Sequence, residues 1–575
     1  MFITKSRLRV FSVLFATVAF SVGAAPNPAA ATTGSPGPII ITSPYHDVSA
    51  PLVSQGEVGD NQGNHQKPHR ALPEKPKTHQ ATNSATSGSG TLTPAMPATL
   101  NNFAGVGNGF SGPAGTFTVN AAPPDTNGAA GPNHYFQIVN TDFAIFNKGG
   151  SAIYGPVPIK SIWSGFGGGC QANNDGDPTV LYDQIADRWL VTQFSVSTLP
   201  YMMCVAVSTS GDPTGSYYRY GFNWGNTNFP DYPKLGIWPD GYYLTVNIFA
   251  NGSTFSGAGV AVMDRSRMLT GAAATQQLFT TSTAYGGLLP SSLDGATLPP
   301  AGAPNHVVGL GTDNSHLAAW NFHVDWSAPG NSTFSGLTPI PVPAFSQACG
   351  GGTCIPQSGT TQQLDSLADR LMYRLAYRNF GDHESLVTTH SVTAGSSVGV
   401  RWYELRMQSD GSPSLFQSGT YAPDSNYRWM GSAAMDSAGD VGLGFSVSSS
   451  STHPGIAYTG RLANDATGTM PQGESTVVSG GGSQTGGLSR WGDYSSMSVD
   501  PADGCTFWYT NEYLPSNGSF NWVTRIASFK FPSCGTPPPA NDFSISANPA
   551  SLSLAPNTPA TSTISTAITP ARLRP

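Results

Sequence analysis

A chain of 575 residues exceeds one ordinary domain, and with 10% charged residues, 67 glycines and 47 prolines it is rich in turns. A net charge of −7 gives no electrostatic footing for nucleic acid.

Residues 1–24 have the form of a secretory signal. Lys5, Arg7 and Arg9 make a basic start, Val10 to Val22 is apolar but too short to span a bilayer, and Val22-Gly23-Ala24 offers a small-residue cleavage site. The competing reading is a buried N-terminal helix. No later stretch is long and apolar enough to span, so a secreted or periplasmic protein with no membrane span is expected. Residues 25–100 are rich in Pro, Ser, Thr and Gly with few aromatics, which predicts a disordered linker. His65, His69 and His79 lie there beside Lys and Arg, as part of a solvated segment or of a metal-binding tail.

From 101 to 534 one unit recurs: a polar opening residue, a short strand, a tight turn and an apolar strand. Asp493 opens the clearest copy. Met497 and Val499 follow at period two, then the Asp500-Pro501-Ala502-Asp503-Gly504 turn and the aromatic Phe507-Trp508-Tyr509. Other copies open at 125, 177, 231, 374 and 429. Neighbouring openings lie 52 to 64 residues apart except for one gap of 143, where Asn305 to Leu310 and Leu317 to Trp320 supply a degenerate copy. Seven strand-rich units without helical periodicity predict an all-β fold, a seven-bladed β-propeller. Residues 103–119, with Phe103, Phe110, Phe117 and Val119, could add a strand beside the last blade and close the ring.

The six cysteines fit an oxidising compartment. Three local pairs are the simplest arrangement: Cys170 with Cys204, Cys349 with Cys354, and Cys505 with Cys534.

In a propeller the equivalent starts of the innermost strands meet around one channel mouth. Under this alignment Asp125, Asp177, Asp231 and Asp493 converge, opposite Arg374, Arg428, Trp429, Arg490 and Trp491. Crowded carboxylates can hold a hard cation, for which Asp125 and Asp177 are candidate ligands and Ca²⁺ the candidate ion. They can also supply general acid and base, for which Asp493 and Asp231 are the candidates. The arginines would hold anionic groups and the tryptophans would stack on sugar rings, which suits an acidic or neutral glycan. The alternative for each Asp is a cap on its own turn, and for Trp429 and Trp491 packing between blades. Asp187, Asp240, Asp440 and Asp503 read as turn residues, and Asp382-His383-Glu384 as an exposed turn.

The strand start Asp177-Pro178-Thr179-Val180-Leu181-Tyr182-Asp183 and the repeated Asp/Gly turns resemble secreted seven-bladed propellers of the sialidase or BNR-repeat type over 101–534. That resemblance implies a glycan at the channel mouth, and an arginine triad nominated as Arg374, Arg428 and Arg490. No copy carries the full S-x-D-x-G-x-T-W box; Asp436-Ser437-Ala438-Gly439 is a partial version. The segment 535–575 begins as a Pro-rich linker and alternates from Asp542 to Leu554, resembling a truncated bacterial Ig-like module. The function expected is an exported glycan-directed propeller, either a glycoside hydrolase or a polysaccharide lyase. The alternative is a non-catalytic carbohydrate- or protein-binding adhesion propeller stabilised by calcium.

Overall fold

The structure is a computed structural model that describes residues 37–55, 59, 64–73, 75–78, 95–535, 542–551, 553 and 555–569. The expected signal segment at 1–24, His79, and the end of the chain from Pro570 lie outside the described residues.

Seven antiparallel units follow one another at 127–158, 179–225, 228–280, 289–341, 372–421, 427–478 and 496–529. The first strand of each lies innermost. These strands are Asn127–Ala130, Thr179–Asp183, Asn228–Trp238, Leu289–Asp294, Met372–Asn379, Tyr427–Met435 and Ser496–Val499. Each packs on the next, and the seventh packs back on the first. The fold is a closed β-propeller. Units four and five are also hydrogen-bonded, because Leu289–Asp294 runs parallel to Met372–Asn379 with Ser291 opposite Leu375.

Burial explains the strand sequences. A middle strand is covered on both faces by adjacent units, so it reads as a nearly unbroken apolar run. Tyr201–Ser208 is buried at every position but the first. An outer strand meets solvent and is polar at many sites, as in Thr333–Pro341. Aromatic rings fill the wedges between units: Tyr135 stacks on Trp508 at 5.2 Å between the first and last, and Phe136 meets Trp189 at 5.8 Å between the first and second. Where a ring comes closest the facing residue is glycine. A Cβ on Gly444 would lie 2.5 Å from the Tyr509 ring.

The last unit supplies three strands of its own. Asn101–Ala104 pairs antiparallel with Val523–Phe529 as its fourth, with Phe103 opposite Ile526. A closing strand is therefore present, but at Asn101–Ala104, overlapping the expected 103–119 stretch only at Phe103 and Ala104. All three local disulfides form. Of the turn aspartates, Asp503 Oδ1 accepts from the amides of Cys505 and Thr506, Asp187 accepts from the Tyr182 hydroxyl, and Asp440 Oδ1 accepts from the Ala463 amide.

Two features differ from the sequence expectation. The fourth unit begins at Leu289–Asp294, so Asn305–Leu310 and His316–His323 are its second and third strands rather than its opening pair. Within the stretch expected to be a disordered linker, Ile39–Thr42 joins the outer edge of unit three and Tyr45–Val48 that of unit two. Both are rich in β-formers, and pairing satisfies sheet edges that would otherwise be open. At the other end Asp542–Asn548 and Thr563–Thr569 form a two-stranded hairpin. Among the described residues no helix is long and apolar enough to cross a membrane.

Candidate functional site

The innermost strands begin with a backbone irregularity that recurs around the ring. Asp125, Asp177, Tyr232 and Met430 have φ of 47°, 44°, 56° and 52°, in the left-handed region. Aspartate tolerates this conformation better than most residues, which favours it at such starts. In units three and six the irregularity is a bulge: the pairing skips between Asp231 and Lys234, and between Trp429 and Ser432. In the first three units Asp125, Asp177 and Asp231 stand at these kinks.

A cavity of about 540 Å³ opens there, lined by Asp175, Asp177, Asp231, Asp493, Arg370, Arg490, the rings of Phe194 and Phe229, and the segment from His65 to Arg70. Asp177 Oδ1 accepts from Lys67 Nζ at 2.7 Å, and Asp231 Oδ1 from Arg70 Nη1 at 3.0 Å. Arg490 donates to Asp493 and lies 3.4 Å from Asp365. Arg370 donates to Asp369 at 2.7 and 3.1 Å and sits 4.6 Å from the Tyr232 ring.

Asp125 lies behind the cavity and is buried. Its oxygens accept from Asn140 Nδ2 at 2.6 Å and from the Asp493 amide at 2.8 Å, so it ties unit seven to unit one. Lys234 is wholly buried, with Nζ 3.4 Å from the Tyr232 ring and 3.8 Å from that of Tyr494. Glu512 is buried beside them and accepts from the Gly492 amide, while its Oε2 has no hydrogen-bond partner among the described residues.

These surroundings separate the proton affinities. Burial, with the charges of Asp493 and Asp177, pushes Asp125 up to about 8. Burial and the Asp177 charge push Asp231 up to about 6 against the pull of Arg70 and Arg370. Burial would raise Asp493 too, but the Arg490 guanidinium outweighs it and holds the carboxyl below the usual range. Burial pushes Lys234 down to about 7, and the nearby carboxylates only partly offset it.

Of the residues singled out in the sequence, Asp125, Asp177, Asp231, Asp493 and Arg490 do come together. Arg374 does not join them. It bonds Asp294 at 2.6 and 3.0 Å and lines a separate small cavity with Leu181 and Ser498. Arg428 pairs with Asp424 at 2.7 Å and with Glu474 at 2.6 Å. Trp429 and Trp491 are fully buried with centroids 5.8 Å apart, so neither offers a face to a sugar; they pack. The expected calcium pair, Asp125 and Asp177, is held by hydrogen bonds in the structure. The Asp125 oxygens and Asp177 Oδ1 each accept from a nitrogen donor, and a Ca²⁺ would have to displace Asn140 and Lys67.

Sequence reasoning missed Lys234, Asp365, Asp369, Arg370, Glu512 and the segment around Lys67. Charged residues inside apolar strands were the available signal: Lys234 stands in Asn228–Trp238 and Glu512 in Phe507–Tyr513, both almost wholly buried.

No protein-family model and no curated protein matches the sequence. Solved structures match in part. A protein of unknown function from Dyadobacter fermentans is 9% identical, with a TM-score of 0.35 over 61% of this chain and 94% of its own. An endo-arabinase from Bacteroides thetaiotaomicron is 11% identical, with a TM-score of 0.28 over 62% and 95%. An exo-β-1,3-galactanase from Phanerochaete chrysosporium, solved with galactose, is 12% identical, with a TM-score of 0.27 over 62% and 80%. At this level of likeness the site must be read from its own residues.

Proposed function

We propose that the chain is an exported, glycan-directed propeller that hydrolyses a glycosidic bond at the channel mouth, with Asp231 as general acid and Asp493 as its ionised partner. One observation carries the reading: two carboxyls from different units line the same cavity, and their surroundings pull their proton affinities in opposite directions. Glycoside hydrolysis needs that division, one carboxyl that keeps its proton and one that does not. The cavity volume of about 540 Å³ falls among those that hold small ligands. The three disulfides fit an extracellular or periplasmic setting. The sialidase type gains no support, because Arg374 and Arg428 are held elsewhere by Asp294, Asp424 and Glu474.

The test is turnover on a panel of polysaccharides. Asp231→Asn and Asp493→Asn should each lower the rate by about 10²- to 10⁴-fold. Unchanged turnover in both removes the assignment. The second reading, a binding propeller without chemistry, draws on the pairing of the cavity carboxylates with Lys67, Arg70 and Arg490. Glycan binding with no product over long incubation selects it.

A further inference from the structure

Residues 64–73 are held across the mouth in the manner of a ligand. Their main chain is recognised first. The amides of His65 and Lys67 donate to the carbonyls of Asn120 and Ala122 at 2.9 and 2.7 Å, and His65–Gln66 runs parallel to Ala121–Ala122. The Leu72 amide donates to Asp369 at 2.9 Å. Two propeller arginines reach back to the segment: Arg490 donates to the Lys67 carbonyl at 3.2 Å and Arg370 to the Arg70 carbonyl at 3.0 Å.

Its side chains are recognised as well. The Lys67 ammonium sits between Asp177 at 2.7 Å and Asn140 at 3.1 Å. The Arg70 guanidinium bonds Asp231 and lies 4.2 Å from the Phe229 ring centroid. Three residues apart, the two cations each meet a carboxylate from a different unit. Leu72 is buried against Gly286 and Gly287, where a Cβ would lie within 2.8 and 3.2 Å of it. Main-chain bonds, charge pairs, a cation over an aromatic face and an apolar anchor are the elements by which a groove reads an extended peptide.

We infer that the mouth is a recognition site for an extended basic peptide with lysine and arginine three residues apart, filled in cis by residues 64–73, so that an outside ligand enters only when this segment leaves. The inference goes beyond the glycan reading and stands without it. Where both hold, the segment is a built-in competitor at the catalytic carboxylates that lowers glycan turnover without abolishing it.

The test uses the full chain beside Lys67→Glu with Arg70→Glu, which sets like charges against Asp177 and Asp231. Amide exchange at Lys67 and Leu72 should be slow in the wild type and at least tenfold faster in the variant, with the strand Tyr201–Ser208 equally protected in both. A labelled peptide of residues 64–73 should bind the variant at least tenfold more tightly than the wild type, and its version with alanine at 67 and 70 should bind neither. If charge reversal disturbs the propeller strands, Lys67→Ala with Arg70→Ala is read by the same two measurements. Fast exchange of the segment in the wild type, no gain of peptide binding in the variants, or equal binding of the alanine peptide would each overturn the inference. Glycan turnover enters none of these readouts, so failure of the hydrolase reading would be seen separately.

Discussion

Asp231 carries the pH dependence of the proposed chemistry. A general acid must be protonated, so the rate should fall as pH rises through about 6, the value to which burial and Asp177 push it. Arg70 lowers that value, so Arg70→Ala should move the alkaline limb upward in a kcat/KM profile. An unmoved limb would assign it to another group. Asp125 makes a matching statement about stability. Its folded value of about 8 lies above the unfolded value of ~4, so between those limits the folded state binds more protons. Its contribution to the unfolding free energy should therefore decline from pH 4 to 8. Asp231 adds to this slope only up to about 6, and Lys234, lowered to about 7, opposes it only above 7. Asp125→Asn should flatten the decline in denaturant titrations; an unchanged slope would mean that Asp125 stays ionised.

At the scale of strands, the repeat was legible because each inner strand and its partner are short and local, joined by turns whose chemistry is written in Asp, Pro and Gly. The mouth was half legible, and unit five shows why. Its left-handed residue is Leu367, with φ of 43°, and the mouth groups are Asp365, Asp369 and Arg370. The apolar pattern had anchored on Arg374, a few residues farther along the strand, where the side chain meets Asp294 instead. Unit six shows a second cause. Neighbouring side chains in a strand point to opposite faces, so Arg428 and Trp429 could not both reach one ligand. Arg428 turns to Asp424 and Glu474, while Trp429 turns inward to Trp491. The segment at 64–73 was hidden for another reason: composition averaged over 25–100 describes a linker, while ten residues with specific partners are too few to change the average. Close packing between units makes its own prediction. Gly444→Ala would press a methyl into the Tyr509 ring, and should cost about 1–3 kcal/mol in denaturant unfolding. A neutral result would show that this ring can shift.

A ring of sheets can be closed by completing its last unit with the first part of the chain. Here Asn101–Ala104 does this, and the bond is more than a ladder. The Asn102 side chain accepts from Arg525 Nε at 2.5 Å and donates to the Val477 carbonyl of unit six at 2.9 Å. The Phe103 ring meets Phe146 of unit one at 5.5 Å and Trp508 of unit seven at 6.4 Å. One tetrapeptide thus touches three consecutive units across the seam. The Cys505–Cys534 disulfide works on the same unit from within, closing a loop of sequence separation 29. By loop entropy it should stabilise the fold by about 3–4 kcal/mol. The two devices differ in reach. Removing the disulfide with Cys505→Ala and Cys534→Ala leaves the seam bonded, so unfolding should shift to lower denaturant and stay a single transition. Phe103→Pro removes the amide opposite Ile526 and the ring that meets Phe146 and Trp508, weakening the pairing that covers the outer edge of unit seven. Unit seven should then open before the rest, with amide exchange rising first in Val523–Phe529 while Tyr201–Ser208 stays protected. If exchange instead rises evenly around the ring, the seam is no weaker than any other contact between units, and closure by Asn101–Ala104 does not govern the order of opening.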